Sequence, residues 1–189
     1  MAVAVGLLGV VGCSSSAGPA PDAPTSAVAP AQSAPAAAST AYHSPEGYSI
    51  KPPPGWVLRP TDLKSGLSSL FVAGRADTSA ATPFTDNLNV VITPTTRSLA
   101  DNVAETKRQY PGLLPHYQLV TDEPTVVNGL PAHLLGATFD DGRGGTLENL
   151  QLLIVNAGNE YTVTFTTPAP SFDTKHPIAQ AALTSFTLG

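Results

Sequence analysis

The chain has 189 residues, a formal net charge of −5 and only 12% charged residues. A nucleic-acid-binding domain carries a basic stripe, and the nearest feature here is the pair Lys107-Arg108, so the composition excludes that class of partner. Residues 42–189 have the length of one domain with a hydrophobic core. No stretch within them approaches the roughly 20 apolar residues that cross a bilayer.

The first twelve residues, MAVAVGLLGVVG, are all apolar or glycine. This pattern predicts a signal peptide over residues 1–12, with an apolar core too short to span a membrane. The following tetrapeptide Val10-Val11-Gly12-Cys13 matches a bacterial lipobox, which predicts cleavage between Gly12 and Cys13 and lipidation of the thiol. The alternative is a buried structural cysteine. No Lys or Arg precedes Cys13, and a signal peptide begins with such residues, so we expect the natural start to lie upstream of Met1.

Residues 14–41 consist almost entirely of Ala, Pro, Ser and Thr, with one charge, Asp22, and no aromatic side chain before Tyr42. Such a segment buries too little apolar surface to offset the entropy of ordering it. We therefore expect residues 13–41 to form a disordered tether behind a lipidated cysteine. The predicted location is the extracytoplasmic face of the cell membrane, with the membrane as a partner through the N-terminal lipid.

The first part of the domain predicts strands. Tyr48–Lys51 alternates and then meets three prolines, which form a stiff turn before a second strand, Trp56–Arg59. Proline cannot donate a ladder hydrogen bond, so this unit belongs at a sheet edge. The runs SSLFVAG (68–74) and NLNVVIT (87–93) are aliphatic, bounded by turn formers, and also predict strands.

A helix follows in SLADNVAETKRQYPGL. Ser98 and Asp101 form a capping box at its start, and Pro111-Gly112 is expected to stop it. The residues of its apolar stripe are Leu99, Val103 and Tyr110.

The remaining sequence predicts strands and a closing helix. Tyr117–Thr121 reads as a short strand, Asn128-Gly129 as a hairpin turn, and Asn156–Asn159 as a second hairpin turn. Alternation in the last strand directs Tyr161, Val163 and Phe165 inward. The final helix is expected to hold Pro177 in its first turn, with Ile178, Ala182 and Phe186 facing the core. Strands in series flanked by helices indicate an α+β fold with a mostly antiparallel sheet.

Several segments together resemble the LpqN-type lipoproteins of mycobacteria. They are the lipobox, the Ala/Pro/Ser tether, GYSIKPPPGW, NLNVVIT with its following helix, VNGLPA, and LQLLIVNAGNEYTVTFT. The resemblance covers essentially the whole chain. It implies a PsbP-like fold, a curved antiparallel sheet with helices on both faces, in an envelope protein. It also implies roles around long-chain glycolipids and their transporters, without an established catalytic activity.

Motifs for chemistry are few. No nucleophile elbow, phosphate loop or dinucleotide fingerprint occurs, and the four histidines are scattered, so we expect no catalytic residue, metal or cofactor. His133 fits a buried, hydrogen-bonded position better than a ligand. Residues 140–145 fit a flexible turn better than a calcium loop. Glu148 and Glu160 fit the solvated face better than an acid–base pair.

Apolar surface is therefore the main candidate for function. Trp56, Phe71, Phe84 and Tyr110 are the ligand-pocket candidates, with a core role as the alternative for each. We expect a site where the turn 52–56 meets the helix that carries Tyr110. Two functions are left open by the sequence: binding of long-chain envelope lipids or glycolipids, and docking on envelope transport or assembly proteins. Weak hydrolysis is a third reading.

Overall fold

The computed structural model describes residues 40–59, 68–77 and 83–189. The predicted signal peptide, Cys13 and the tether up to residue 39 lie outside the described residues. Within the described ranges the chain forms ten strands, two α-helices, α1 (Leu99–Leu113) and α2 (Phe172–Thr184), and one 3₁₀ turn. The strands are β1 (Tyr42–His43), β2 (Tyr48–Ile50), β3 (Val57–Arg59), β4 (Ser68–Asp77), β5 (Phe84–Pro94), β6 (Gln118–Val127), β7 (Leu130–Asp140), β8 (Thr146–Asn156), β9 (Asn159–Pro168) and β10 (Thr187–Leu188).

The strands assemble into two antiparallel sheets. The large sheet has the order β3-β4-β5-β9-β8-β7-β6, and the small sheet has the order β1-β2-β10. Thus β3 and β6 lie at the edges of the large sheet. The α+β class and the antiparallel sheet predicted from the sequence are confirmed. The predicted short strand Tyr117–Thr121 is the first half of a longer edge strand, β6, which tolerates Pro124 because an edge strand has one unpaired side.

Both predicted hairpin turns are present. Asn128 and Gly129 join β6 to β7 with φ angles of 50° and 83°, and Ala157 and Gly158 join β8 to β9 with φ angles of 47° and 78°. Two successive left-handed residues define the turn whose twist matches that of paired strands. The Asn128 side chain also donates hydrogen bonds to Thr184 O, in the last residue of α2, at 3.1 Å and to Phe186 O at 2.7 Å. This turn therefore also holds the C-terminal segment.

Different elements pack against the two faces of the large sheet. On one face, here named the α2 face, Tyr161, Val163 and Phe165 of β9 are buried with residues of α2 and the small sheet, as predicted. Phe186 is fully buried there, with its ring 5.4 Å from Tyr48 and 5.7 Å from Tyr161. On the other face, named the α1 face, Val103 of α1 joins a small buried cluster of sheet leucines. Helices on both faces agree with the PsbP-like architecture.

Helix α1 begins as predicted but ends later. The Ser98 side chain accepts a hydrogen bond from the Asp101 amide at 3.1 Å and donates one to its carboxylate at 2.7 Å. The helix then continues through Pro111 to Leu113, so the prediction that it stops at Pro111 is wrong. Proline removes one amide donor in the last turn, and the Leu114 amide still donates to Tyr110 O at 2.9 Å.

Helix α2 begins earlier than predicted. It starts at the buried Phe172, which places Pro177 in its second turn instead of its first. The inward residues are Phe172, Ala179, Ala182 and Leu183. Of the three residues predicted to face the core, Ala182 and Phe186 are buried, as predicted, whereas the prediction for Ile178 is wrong. Ile178 is 45% exposed and available on the surface.

Candidate functional site

The three prolines build a rigid turn at the edge of the domain. Pro54 and Gly55 occupy the central positions of a turn in which the Trp56 amide donates to Pro53 O at 3.2 Å. Gly55 has a φ of 78°, as a turn with proline before a left-handed residue requires. Pro52 and Pro53 are buried and Pro54 is exposed. The turn therefore exposes the ring of Pro54 in a fixed conformation, which loses little entropy on binding a ligand.

Trp56, next to this turn, packs against the edge of the hydrophobic core. Its ring stacks on Phe165 at 5.5 Å with an angle of 27° between the planes. A Cβ atom added at Gly74 would lie only 2.7 Å from the indole, so glycine is needed for this close approach. Trp56 is half-buried, which means that it packs on the core with one side and contributes to the surface with the other.

An apolar groove, here named the proline groove, lies between this turn and α2. It has a volume of about 340 Å³ and is lined mainly by Pro52, Pro53, Pro54, Ile178 and Ala181. Lys51 lies at its rim, and its amide donates to Ser185 Oγ at 2.8 Å, which fixes the turn to the end of α2.

A second cavity of about 590 Å³ shares Pro52 and Pro53 with the proline groove. It is also lined by Trp56 and by Thr40 and Ala41, where the described part of the domain begins. The proline groove is therefore adjacent to the point at which the predicted tether enters the domain.

The four aromatic candidates do not form one site. Trp56 packs on the α2 face, whereas Tyr110 contacts Gln151 on the α1 face, so the sheet separates them. The predicted meeting of the proline turn with the Tyr110 helix is wrong, because that helix covers the opposite face. Phe84 is half-buried at the start of β5, and alternation with Leu88 places it on the α2 face. Phe71 belongs to β4, but its side chain lies outside the described residues.

The α1 face carries a group of neutral polar side chains, here named the amide face. Its members are Asn87, Asn89, Asn149, Gln151, Thr164 and Thr166. Gln151 Nε2 donates to Thr164 Oγ1 and to Tyr110 Oη, both at 3.2 Å. Burial raises the pKa of Tyr110 despite this hydrogen bond, so its hydroxyl stays neutral. Sequence reasoning missed this group, although the alternating pairs Asn-x-Asn, Asn-x-Gln and Thr-x-Thr carry its signal.

His133 forms the hydrogen bond expected of it. Its Nε2 lies 2.7 Å from one carboxylate oxygen of Asp122, and Lys107 Nζ donates to the other at 2.6 Å. Lys107, and then His133, hold the pKa of Asp122 below its usual range. The His133 side chain is 16% exposed, so it is half-buried and not fully buried as predicted. The arrangement links α1 to β6 and β7.

The acidic residues that were considered for calcium binding or for acid–base chemistry form neither kind of site. Asp141 Oδ1 accepts hydrogen bonds from the Arg143 and Gly145 amides at 2.7 and 2.9 Å, and these lower its pKa. Residues 140–145 are therefore a turn, as predicted. On the β8–β9 ladder Glu148 lies opposite Thr167, and Glu160 lies opposite Val155. The two glutamates are thus seven residues apart along the ladder, roughly 24 Å, and form no pair.

The described residues lack a metal-binding cluster and a membrane-spanning helix. They contain no group of three or more His, Cys, Asp or Glu side chains that could hold a metal ion. None of the helices in the same part of the chain has the length and apolar character needed to cross a membrane.

The sequence profile of one family matches residues 76–185, which is more than half of the chain. The chain belongs to the DcrB family. No curated protein sequence matches it.

Solved structures show the fold. The PsbP protein of the cyanobacterium Synechocystis has a TM-score of 0.58 at 17% identity, over 85% of this chain and 100% of its own. LpqN of Mycobacterium tuberculosis has a TM-score of 0.53 at 17% identity, over 79% and 89%. The Ran-binding protein Mog1 of Saccharomyces cerevisiae has 0.51 at 11%, over 75% and 90%. The predicted PsbP-like fold is confirmed, whereas the likeness to LpqN extends to the fold only.

Proposed function

We propose that this DcrB-family protein is a non-catalytic lipoprotein of the cell envelope that binds the alkyl chain of a long-chain lipid or glycolipid in the proline groove. A lipid on Cys13 anchors it to the extracytoplasmic face of the membrane. The observation that carries the proposal is the position of the groove. The apolar groove of about 340 Å³ shares Pro52 and Pro53 with the second cavity. Thr40 and Ala41 line that second cavity, at the point where the tether with the expected anchor joins the domain.

The chemistry of the groove supports an amphiphile as ligand. Three prolines, Ile178 and Ala181 present apolar surface to an alkyl chain, and Lys51 at the rim provides a cation for a polar or anionic head. The volume is at the lower end of the range for small-molecule sites. LpqN, which shares the fold, is described as involved in cell envelope biogenesis. That description supports an envelope setting for this chain as well.

Replacement of Cys13 tests the anchor. The variant Cys13→Ala, expressed behind a signal peptide with a basic start, should move from the membrane fraction to the soluble fraction. Two long acyl chains suffice for stable anchoring at about 0.8 kcal/mol for each buried CH₂ group. A Ser14→Ala variant, which leaves the lipidation site intact, should stay in the membrane fraction. Membrane retention of Cys13→Ala would contradict the anchor.

The single tryptophan makes the groove directly testable. Brominated dodecyl maltoside, added to the full chain carrying Cys13→Ala below the micelle concentration, should quench Trp56 fluorescence, because bromine quenches only at short range. The additional change Ile178→Asp should weaken quenching by about tenfold, since it places a charge in the apolar groove. The matched control is Val126→Asp, at a 68% exposed apolar side chain of β6 that does not line the groove. Equal quenching in both variants would contradict the proposal.

A second candidate function is docking on an envelope transport or assembly protein. Edge strand β6 supports it, because it exposes the apolar side chains of Leu119, Val120 and Val126. Exposed apolar patches mark interaction sites. Mog1, which shares the fold, is described as a Ran-binding protein. A photoreactive residue at position 126 should then crosslink to one defined protein in the host envelope, and the same residue at position 178 should not.

A further inference from the structure

A further cavity of about 350 Å³, here named the polar pocket, adjoins the proline groove and shares Lys51 and Ser185 with it. The other polar residues that line it include His43, Ser49, Asn128 and Thr187. The shared boundary is fixed, because the Lys51 amide donates to Ser185 Oγ at 2.8 Å and this hydroxyl donates to Ala182 O at 2.6 Å. A single ligand can therefore extend from the apolar groove into the polar pocket.

The small sheet contributes a row of polar side chains to this pocket. His43 of β1 lies opposite Ser49 of β2, and Ser49 lies opposite Thr187 of β10. Side chains directly opposite on neighbouring antiparallel strands share a face and are about 5 Å apart. The neighbours of Ser49 along β2, Tyr48 and Ile50, are buried in the core, as the alternation of a strand requires. One face of the small sheet is therefore core, and the other presents an imidazole and two hydroxyls to the polar pocket.

His43 and Ser49 together keep a hydrogen-bond donor for a ligand. His43 is exposed and Ser49 is half-buried, and Nδ1 of the ring lies 2.8 Å from the Ser49 hydroxyl oxygen. If the hydroxyl donates to a neutral ring, the ring carries its hydrogen on Nε2, and if the ring donates, the hydroxyl hydrogen is left over. A ring protonated on both nitrogens leaves both hydrogens. The pair therefore offers at least one donor in every protonation state.

The charge of the polar pocket narrows the ligand class. Lys51 is exposed and supplies a permanent positive charge, and the described residues that line the pocket include no Asp or Glu. Glu46, the acidic residue nearest to Ser49 in sequence, accepts a hydrogen bond from Ser44 Oγ at 3.0 Å in the turn between β1 and β2. This cavity thus differs in sign from the chain as a whole, whose net charge is −5. It favours an anion over a neutral or cationic group.

We propose that the polar pocket binds the phosphate head of a lipid whose alkyl chain lies in the proline groove. This inference rests on the function proposed above and narrows the ligand to a phosphate-bearing amphiphile. Lysine is a common partner of phosphate, and Lys51 pairs with the head where the two cavities meet. Ser49 and Thr187 donate to it from the small sheet. The tetrahedral oxygens of a phosphate accept from these separate directions, whereas a carboxylate offers two oxygens in one plane.

Three probes test the groove and the pocket separately. The full chain carrying Cys13→Ala, labelled with ¹⁵N, is titrated with dodecyl phosphate and dodecyl maltoside below their micelle concentrations, and with inorganic phosphate. Dodecyl phosphate should shift the backbone amide signals of Ile178 in the groove and of Ser49 and Thr187 in the pocket. Dodecyl maltoside should shift Ile178 but bind about tenfold more weakly, because it lacks the charged head. Inorganic phosphate should shift only Ser49 and Thr187, and at much higher concentration.

The variant Lys51→Met separates the head from the chain. It should weaken the binding of dodecyl phosphate by about tenfold and leave that of dodecyl maltoside unchanged, because only the phosphate uses the charge. The fold should persist, since Lys51 is exposed and its backbone amide holds the turn. Arg97→Met is the matched control. It removes a positive charge at an exposed residue outside both cavities and should bind both amphiphiles as the unmodified chain does.

The outcomes distinguish this inference from the function on which it rests. Equal affinity for the two amphiphiles, or shifts at Ile178 without shifts at Ser49 and Thr187, would overturn the phosphate site and leave the proline groove unaffected. Unchanged binding of dodecyl phosphate to Lys51→Met would do the same. If inorganic phosphate binds as tightly as dodecyl phosphate, the pocket takes free phosphate and the lipid head is ruled out. No shift at Ile178 with either amphiphile would overturn both proposals.

Discussion

The two faces of the large sheet are built from the same strands but have different chemistry. On β8, Leu150, Leu152 and Ile154 are buried on the α2 face, whereas Asn149 and Gln151 face α1. The α2 face is covered by a helix, the small sheet and the indole of Trp56. The α1 face has a small apolar cluster and a group of amides and hydroxyls. This difference indicates that the α2 face provides most of the apolar burial that stabilises the fold.

The largest expected effect compares two neighbours on β9. Phe165 is fully buried on the α2 face, and Thr164 faces α1. Phe165→Ala should lower the free energy of unfolding by about 3–5 kcal/mol, because it leaves a cavity in the core. Thr164→Ala should cost only about 1 kcal/mol, the value of one hydrogen bond. Urea unfolding followed by circular dichroism measures both. Similar losses for the two variants would refute the division of the sheet.

The next comparison uses one ion pair on each face. Lys175 of α2 donates to the Asp86 carboxylate at 2.8 Å, and the Asp86 side chain is 10% exposed. Lys175→Met should destabilise the fold by about 2–3 kcal/mol, because it removes the positive charge that neutralises the buried carboxylate of Asp86. On the α1 face, Lys107→Met breaks a half-exposed pair with Asp122 and should cost less than about 1 kcal/mol. The same unfolding measurement applies, and the reverse order would contradict the comparison.

Gly74→Ala tests how tightly the α2 face is closed. The new Cβ would approach the Trp56 indole to 2.7 Å, so the ring must move away from Phe165. Overpacking of this kind costs about 1–3 kcal/mol. The fluorescence of Trp56 should shift to longer wavelength as the ring becomes more exposed. Gly112→Ala, where the added atom meets open space, is the control. An unchanged spectrum for Gly74→Ala would show that the contact is not needed.

Local patterns in the sequence predicted the elements well. The capping box at Ser98, the hairpin at Asn128-Gly129 and the inward alternation of Tyr161, Val163 and Phe165 all depend on neighbouring residues, and all are confirmed. The start of α2 was not predicted in this way. The helix begins at the buried Phe172, and Ile178 is exposed although Ala182, one turn later, is buried as predicted.

The candidate site was predicted only in part. The proline turn was correctly recognised as a rigid apolar feature, but its partner depends on which face each helix covers. Sequence order alone did not show that Trp56 and Tyr110 lie on opposite faces. The amide face depends on strand register across β5, β9 and β8, whose order in the sheet differs from their order in the chain. Cysteine lipidation at Cys13 stays a prediction.

The smallest expected effect concerns a charge near the more apolar face. Burial, and then the nearby carboxylate of Asp173, raise the pKa of Glu148 above its usual value. A carboxyl group with a raised pKa in the folded state favours folding when protonated, and this contribution is lost as the pH rises through the folded pKa. Glu148→Gln should therefore stabilise the protein at pH 7, by about 1 °C in Tm, and the gain should shrink toward pH 4.

Thermal unfolding at several pH values checks this prediction. Glu123→Gln is the matched control, because Glu123 is exposed on edge strand β6. The control should show no comparable gain at pH 7. A gain for Glu148→Gln that grows as the pH falls would have the wrong sign for a raised pKa, and the carboxylate would then be a stabilising charge. In that case the α2 side of the sheet would tolerate charge as well as the α1 side does.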